Sequence, residues 1–482
     1  MKEKKQIKLN FTQGCIAVVI LYFLIISVFY YAAEEQLYNR ESKWQIETIA
    51  GDYATPEITN EFTLRQEFLC EMDRIERFSV NICTFARANT GTLQIRLLDN
   101  TTQAELYSYT QNVAELADGQ IIECTLPEKV DGVREHVLAI ELSTAEGIAG
   151  NAVAPWFAST VNTENQQLYF NGQPVTGTLC FATYGEDNVW TGPHYWKIMT
   201  SVGGVLGIYC VTLVYKKKHN KKSMVILAVD MLEKYKFLIK QLVSRDFKIK
   251  YKRSVLGALW SFVNPLLTMS VQYVVFSTIF KAEIENYPVY LLSGIVLFNF
   301  FTEATNTSLY AIIGNASLIT KVYVPKYIYP VSKILSTLVN LLIALIPLLI
   351  MCLATGIKVT KAWLVLPFVL VCLLMFCIGM GFILSAVMVF FRDMQFIWSV
   401  LSMVLTYATP VFYPESILPI EMQGILKFNP MYQYITFFRT VVIEGVSPEP
   451  RLYLICMIFS LLFMAIGVAV FRKSQDKFIF YI

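Results

Sequence analysis

The sequence predicts a polytopic all-α membrane protein. Six core spans are preceded by two more, with an extracytoplasmic β-sandwich inserted between the first two. Three observations carry this. Of 482 residues, 55% are hydrophobic and only 16% are charged, whereas soluble domains run near about a quarter charged. Several apolar runs reach the roughly 20 residues that a helix needs to cross a bilayer. The charges are also unevenly spread. Residues 33–195 hold 24 acidic and 9 basic side chains, a net of −15, against +18 for the rest. This composition excludes a disordered chain, a nucleic-acid binder and an ordinary cytosolic enzyme.

Five segments follow in order. Residues 1–33 are a cytoplasmic N-terminus and a first span, the apolar run 15–33. Residues 34–195 are the acidic block, and 196–215 are a second span. Lys2, Lys4, Lys5 and Lys8 precede the first span, and the run KKKHNKK follows the second at 216–222. Basic residues near span ends mark the cytoplasmic side, so the block is expected outside the cytoplasmic membrane. Ala32-Ala33-Glu34 is a weak cleavage site and the apolar stretch is long for a signal peptide, so the first span is expected to stay uncleaved.

Residues 216–253 form a basic linker and an amphipathic interface helix, and 254–482 form the six-span core. The core spans are expected near 255–280, 288–313, 333–354, 363–390, 395–413 and 452–471. Six spans that start inside end inside, which agrees with the basic FRKSQDK after the last. The outer segment 413–445 is apolar but broken by Pro414, Pro419 and Pro430. Broken backbone at membrane depth must be sheltered by protein or line a watery cavity.

Within the acidic block the hydrophobic pattern alternates. Runs at 92–99, 134–143, 166–172 and 176–185 read as strands separated by Asn, Gly and Asp turns, the pattern of a sandwich. Cys70, Cys83, Cys124 and Cys180 fit one or two disulfides, or four small buried hydrophobes. Tyr107, Tyr109, Trp156 and Tyr169 fit either core packing or sugar stacking.

Leu232, Tyr235, Leu238, Ile239 and Leu242 recur at helical spacing opposite Lys234, Lys236 and Lys240. The basic cluster Arg245, Lys248, Lys250, Lys252 and Arg253 follows. Such a helix lies in the membrane interface, its Lys and Arg stems reaching the headgroups. Asn264-Pro265 falls inside a predicted span, where proline kinks a helix. Asn299, Glu303 and Asn306 fall near the middle of the second core span. An intramembrane carboxylate is costly and rarely faces lipid. It is either hydrogen-bonded inside the bundle or lines a polar path. Lys321, Tyr323 and Lys326 lie on a compact cytoplasmic loop. Tyr413, Tyr432 and Phe438 place rings near the outer ends of the spans, as an interfacial belt or as weak platforms for sugars.

Four motifs in order resemble the ABC-2 type permeases that export polysaccharides and teichoic acids. The first holds Arg245-Asp246, Tyr251-Lys252-Arg253, Gly257, Trp260 and Asn264-Pro265. GNASLITKVYVPKYIYPVS follows at 314–332, then FRDM at 391–394, then TPVFYP at 409–414 with FNPMYQYITFFR at 428–439. The resemblance covers residues 230–482 and says nothing of the block before them. It implies a six-span ABC-2 permease core whose ATPase-docking surface includes Arg245, Asp246, Lys321, Tyr323 and Lys326. The residues themselves, apart from the resemblance, suggest a translocation path: Asn299, Glu303 and Asn306 make one helix face polar, and Tyr413, Tyr432 and Phe438 lie near the outer mouth.

No Gly-x-x-x-x-Gly-Lys-Ser/Thr run occurs, so a pump of this kind draws its energy from another chain. His136, His194 and His219 are far apart in the sequence, and no metal-ligand or catalytic motif is present. The chain itself is expected to carry no catalytic residue, metal or cofactor. ATP and Mg²⁺ belong to the partner. The reading is the transmembrane subunit of an ABC exporter for a lipid-linked polysaccharide: O-antigen, teichoic acid or a capsule-like glycan. It would sit in a bacterial cytoplasmic membrane as a homodimer with two copies of an ABC ATPase, and would bind no nucleic acid. An ABC-2 exporter of a small lipid or drug is one alternative. A membrane-anchored glycan-binding or assembly protein without transport is another.

Overall fold

The computed structural model describes residues 11–33, 37–45, 53–158, 165–221, 223–252, 254–280, 286–322, 324–415, 418 and 420–482. The chain divides into two compact units, Glu35–Trp196 and Met1–Glu34 with Lys197–Ile482.

The strands of the first unit are β1 (Asn39–Gln45), β2 (Tyr53–Ala54), β3 (Leu64–Leu69), β4 (Arg74–Cys83), β5 (Thr92–Asp99), β6 (Ala104–Asn112) and β7 (Gln120–Asp131). They continue as β8 (Val137–Ser143), β9 (Ala154–Ala158), β10 (Gln166–Phe170), β11 (Gln173–Val175), β12 (Thr178–Leu179) and β13 (Phe181–Asn188). One sheet runs β1-β13-β4-β9-β12, with β2 on β9 and β7 on β4. The other runs β11-β10-β3-β8-β5-β6. Alternation aims one face of each sheet inward. In β5, Leu93, Ile95 and Leu97 are buried while Thr92 and Gln94 are exposed. Residues of both sheets share one apolar core, where Phe68 of one sheet packs on Phe181 of the other at 5.0 Å between rings. The unit is therefore a β-sandwich.

Local chemistry sets two details. Asn171 and Gly172 both have positive φ, +49° and +77°, and close the β10–β11 hairpin as an Asn-Gly pair does. The run 176–185, expected as one strand, breaks at Cys180. Its amide bonds the Trp156 carbonyl while its own carbonyl accepts from the Asn81 amide. The chain thereby steps from pairing with β9 to pairing with β4. No disulfide joins the four cysteines of the sandwich, and all four are buried, as in the reading of four small buried hydrophobes. Tyr107 packs against Phe78, and the 38% exposed Tyr109 stacks on Tyr107 at 6.4 Å.

The second unit contains the helices α1 (Phe11–Ala33), most of α2 (Thr191–Lys218), α3 (Met224–Tyr251), α4 (Trp260–Phe280), α5 (Tyr287–Leu309), α6 (Ala316–Lys321) and α7 (Ile328–Ala354). They continue as α8 (Leu366–Phe390), α9 (Met394–Ala408), α10 (Ile420–Leu426), α11 (Pro430–Arg439), α12 (Pro450–Ser474) and α13 (Phe478–Tyr481). Among the described residues, six helical stretches are long and apolar enough to cross a membrane: Phe11–Ala33, Thr191–Lys218, Tyr287–Leu309, Ile328–Ala354, Lys361–Phe390 and Pro450–Tyr481. The 21-residue α4 stands beside them in the core.

The fifth core span, expected over 395–413, is the 15-residue α9. At 1.5 Å per residue it covers about 22 Å, less than a bilayer core of about 30 Å. The chain then continues through the proline-broken segment. Helix α5 lies at the centre, with residues 291–298 buried without interruption. A helix apolar on every side belongs where other helices surround it. Helix α3 lays Leu242 and the partly buried Tyr235, Leu238 and Ile239 against Ile312, Ile328, Phe382 and Phe471. Its amphipathic pattern thus packs on protein as well as facing outward.

Candidate functional site: a polar cavity beside the amphipathic helix

Gly257 has a positive φ of +53° in the short turn between α3 and α4, a conformation that favours glycine. The turn brings the end of α3 against the start of α4. Pro265 sits in the second turn of α4 and has no amide for the Ser261 carbonyl. A cavity of about 290 Å³ opens here, bounded by α3, α4, α5 and α7. Lys250, Tyr251, Trp260, Ser261, Asn264, Asn299, Glu303 and Asn340 supply its polar and aromatic lining. Val296, Phe300, Leu341 and Ala344 form its apolar wall.

Glu303 is ion-paired with Lys250 at 2.6 Å and accepts from the Asn340 side-chain amide at 2.9 Å. The Asn340 carbonyl oxygen accepts from Tyr251 at 3.0 Å and from Ser261 at 3.3 Å. Tyr251 and Ser261 are also hydrogen-bonded to each other. Glu303 is thus bonded inside the bundle, and it lines the cavity as well. It lies six residues before the end of α5, about 9 Å along the axis. Asn299 lines the same cavity, whereas Asn306 is exposed and outside its lining.

The expected docking residues separate. Asp246 has a side chain only 9% exposed, clasped by Arg245 at 3.0 Å and Lys333 at 3.0 Å. Arg245 also reaches the Asn315 side chain at 3.4 Å. This cluster ties α3 to α7 within the chain, so the Asp246 carboxylate is turned away from the surface. Lys326 donates to the Gln475 carbonyl at 2.5 Å and lies over the Phe478 ring. Burial pushes its ammonium pKa down, with Asp476 acting the other way. Lys321 is exposed, and Tyr323 lies outside the described residues. Asp246→Ala should therefore lower the melting temperature of the isolated chain, by about 1–3 kcal/mol of lost stability. An unchanged melt in detergent would contradict this clasp.

At the other end of the bundle the broken segment is held by three side chains. Arg439 is 8% exposed and donates to the carbonyls of Pro410 at 2.8 Å, Val411 at 2.8 Å and Tyr290 at 3.0 Å. Its guanidinium stacks 3.4 Å from the Tyr290 ring centre. Tyr287 donates to the Phe412 carbonyl and Tyr290 to that of Tyr413, at 2.9 and 2.8 Å. Four consecutive carbonyls, 410–413, are thus satisfied by side chains. This meets the requirement that broken backbone at membrane depth be paired.

Tyr413 and Tyr432 are half-buried, bonded to the Tyr407 carbonyl and to Glu415 respectively. Phe438 corrects the expectation of a ring at an outer mouth. It is 2% exposed and part of the main core cluster, because α11 turns that face inward. Sequence reasoning missed Asn340, Ser261 and the anchoring role of Arg439. A lone Asn in the apolar run 333–354 was the available signal for the first.

Comparison with known proteins places this core. Residues 237–443 match the model of the ABC-2 type transporter family. The chain is 30% identical over 255 residues to the O-antigen export system permease protein RfbA of Myxococcus xanthus, spanning 52% of this chain and 98% of the relative. It is 27% identical over 242 residues to a Klebsiella pneumoniae protein of the same name, 50% of this chain and 93% of the relative. It is 24% identical over 257 residues to the polysialic acid transport protein KpsM of Escherichia coli, 52% and 98% of the two chains. The matched stretch contains the cavity, the Asp246 clasp and the Arg439 anchor. With multiple membrane-crossing helices and a relative covered almost end to end, the chain belongs to the ABC-2 type transporter family, among its polysaccharide-export permeases.

Proposed function

We propose that the chain is the transmembrane subunit of an ABC exporter that carries a lipid-linked polysaccharide across the cytoplasmic membrane. The observation that carries this is the near-complete coverage of relatives named for O-antigen export and polysialic acid transport. The cavity supports it with a charged pair, side-chain amides and an apolar wall at the end of an amphipathic helix. The path begins at Asn299 and Glu303 and leaves past Tyr413 and Tyr432. Two copies of the chain work with two ABC ATPase subunits. Closed two-fold assembly is the commonest oligomeric form, and two ATPases need two docking surfaces. The exposed Arg245 and Lys321 offer contacts for them.

Removing the chain from its host should lower surface polysaccharide at least tenfold while lipid-linked glycan accumulates inside. Supplying it in trans should restore both. Unchanged surface glycan in the deletion strain would overturn the export reading. A restored drug or lipid efflux without glycan would favour the small-molecule alternative.

The acidic sandwich belongs on the outer side, by the lysine-rich flanks of its two bounding spans. A cysteine placed at the exposed Ser108 should react with a membrane-impermeant maleimide on intact spheroplasts. Reaction only after lysis would reverse this orientation.

A further inference from the structure

The polar node beside the cavity joins four helices through few atoms. Lys250 and Tyr251 come from α3, Ser261 from α4, Glu303 from α5 and Asn340 from α7. We propose that this node is a phosphate-exchange latch: a phosphate headgroup on an apolar chain enters the cavity, takes Lys250 from Glu303, and so releases α3 from α5. This rests on the export reading and names the part of the cargo that the cavity grips.

The partners of the ion pair are unequally held. Glu303 is backed by Asn340, which is only 8% exposed and is itself fixed by Tyr251 and Ser261. Lys250 lies in the last turn of α3, and its side chain is 45% exposed. An incoming anion therefore meets the ammonium first and finds the carboxylate already anchored. A partly exposed ion pair contributes little net stability, about 0–1 kcal/mol, so exchange is cheap. A phosphate offers more acceptor oxygens and more charge than a carboxylate.

The exchange has a mechanical result. Once Lys250 neutralises the phosphate, Glu303 faces an anion across the cavity, and the two repel. A ligand shifts a conformational equilibrium only by its differential affinity for the two states. Here the difference is explicit, since Lys250 is occupied in the latched state and free in the released one. The cavity walls specify the rest of the ligand. Val296, Phe300, Leu341 and Ala344 lie beside the charged end, so a phosphate carried on a hydrocarbon chain fits better than a free ion.

The test is equilibrium binding of radiolabelled farnesyl monophosphate to the intact chain in detergent, with farnesol and inorganic phosphate as competitors. Wild type should bind saturably, and farnesol should compete poorly. Lys250→Met should weaken binding about tenfold or more, and Glu303→Gln should tighten it about tenfold. Glutamine removes the competing charge but keeps an acceptor for Asn340, so the fold is retained. Displacement by millimolar inorganic phosphate would support recognition of the headgroup alone. Resistance to phosphate with displacement by unlabelled farnesyl monophosphate would support recognition of head and chain together.

Farnesol competing as well as the phosphate, or Glu303→Gln binding no tighter than wild type, would overturn the latch. Surface glycan from the same variants is scored separately. Normal export with unaltered Glu303→Gln binding removes the latch and leaves the export reading. The expected binding pattern with no glycan exported, even by wild type, does the reverse.

Discussion

Arg439→Met should leave little correctly folded protein. The change removes both strong donors to the Pro410 and Val411 carbonyls, which have no ladder or helix of their own at that point. A buried group left without its partner costs about 1–3 kcal/mol; the Val411 carbonyl loses its side-chain donor outright, while that of Pro410 keeps only the long 3.4 Å bond from the Tyr290 hydroxyl. Lysine does not rescue it, because a point charge with three donors cannot reproduce a planar fork reaching several carbonyls. The site is also closed to enlargement. A Cβ at Gly294 would come within 2.7 Å of the Arg439 guanidinium and 3.1 Å of Val411. Fluorescence-detected size exclusion and a thermal melt in detergent read the result. A monodisperse Arg439→Met protein with a wild-type melt would show that the broken segment is held elsewhere.

Gly379→Val should be as damaging, by a different route. Helices α8 and α12 meet backbone to backbone, and a Cβ on Gly379 would lie 2.6 Å from the Met464 amide nitrogen and closer still to the Phe463 carbonyl. From the other side, a Cβ on Gly467 would lie 2.8 Å from the Gly379 Cα. Small residues let membrane helices approach in this way. Backbone cannot swing aside as a side chain can, so the helices must separate and lose the packing between them. A loss of several kcal/mol is expected, on the scale of other forced overpacking. Gly207→Ala is the control, because nothing lies within 4 Å of its Cβ position. Alanine there should be neutral or slightly stabilising through helix propensity. Equal damage from the two substitutions would remove the close-packing argument.

Much of the fold is legible in the sequence because two physical signals are strong there. Alternation placed β5 at 92–99, as found, since one face of that strand is core and the other is solvent. Runs of apolar residues located α5, α7, α8 and α12 to within a few residues. Strands β4 and β6 went unread. In β4, Phe78 to Cys83 is buried on both faces, and in β6 most positions are exposed, so neither shows a clean alternation. The site was legible in its charge and not in its geometry. Glu303 stands out as a carboxylate in an apolar run. That Lys250 reaches it follows from the packing of α3 in the folded bundle, and nothing local announces a pairing 53 residues apart. Asp246 and Phe438 read as surface groups because motif position carries no information about which way a side chain faces.

The thiols of the sandwich have a practical side. All four are buried, and burial pushes the Cys124 thiol up to about 12. At neutral pH such a group exists as thiolate in only about one part in 10⁵, and the thiolate is what reacts. A maleimide should therefore react slowly with Cys124 in the folded sandwich. With no disulfide joining Cys70, Cys83, Cys124 and Cys180, added reductant should leave the melt of the chain unchanged.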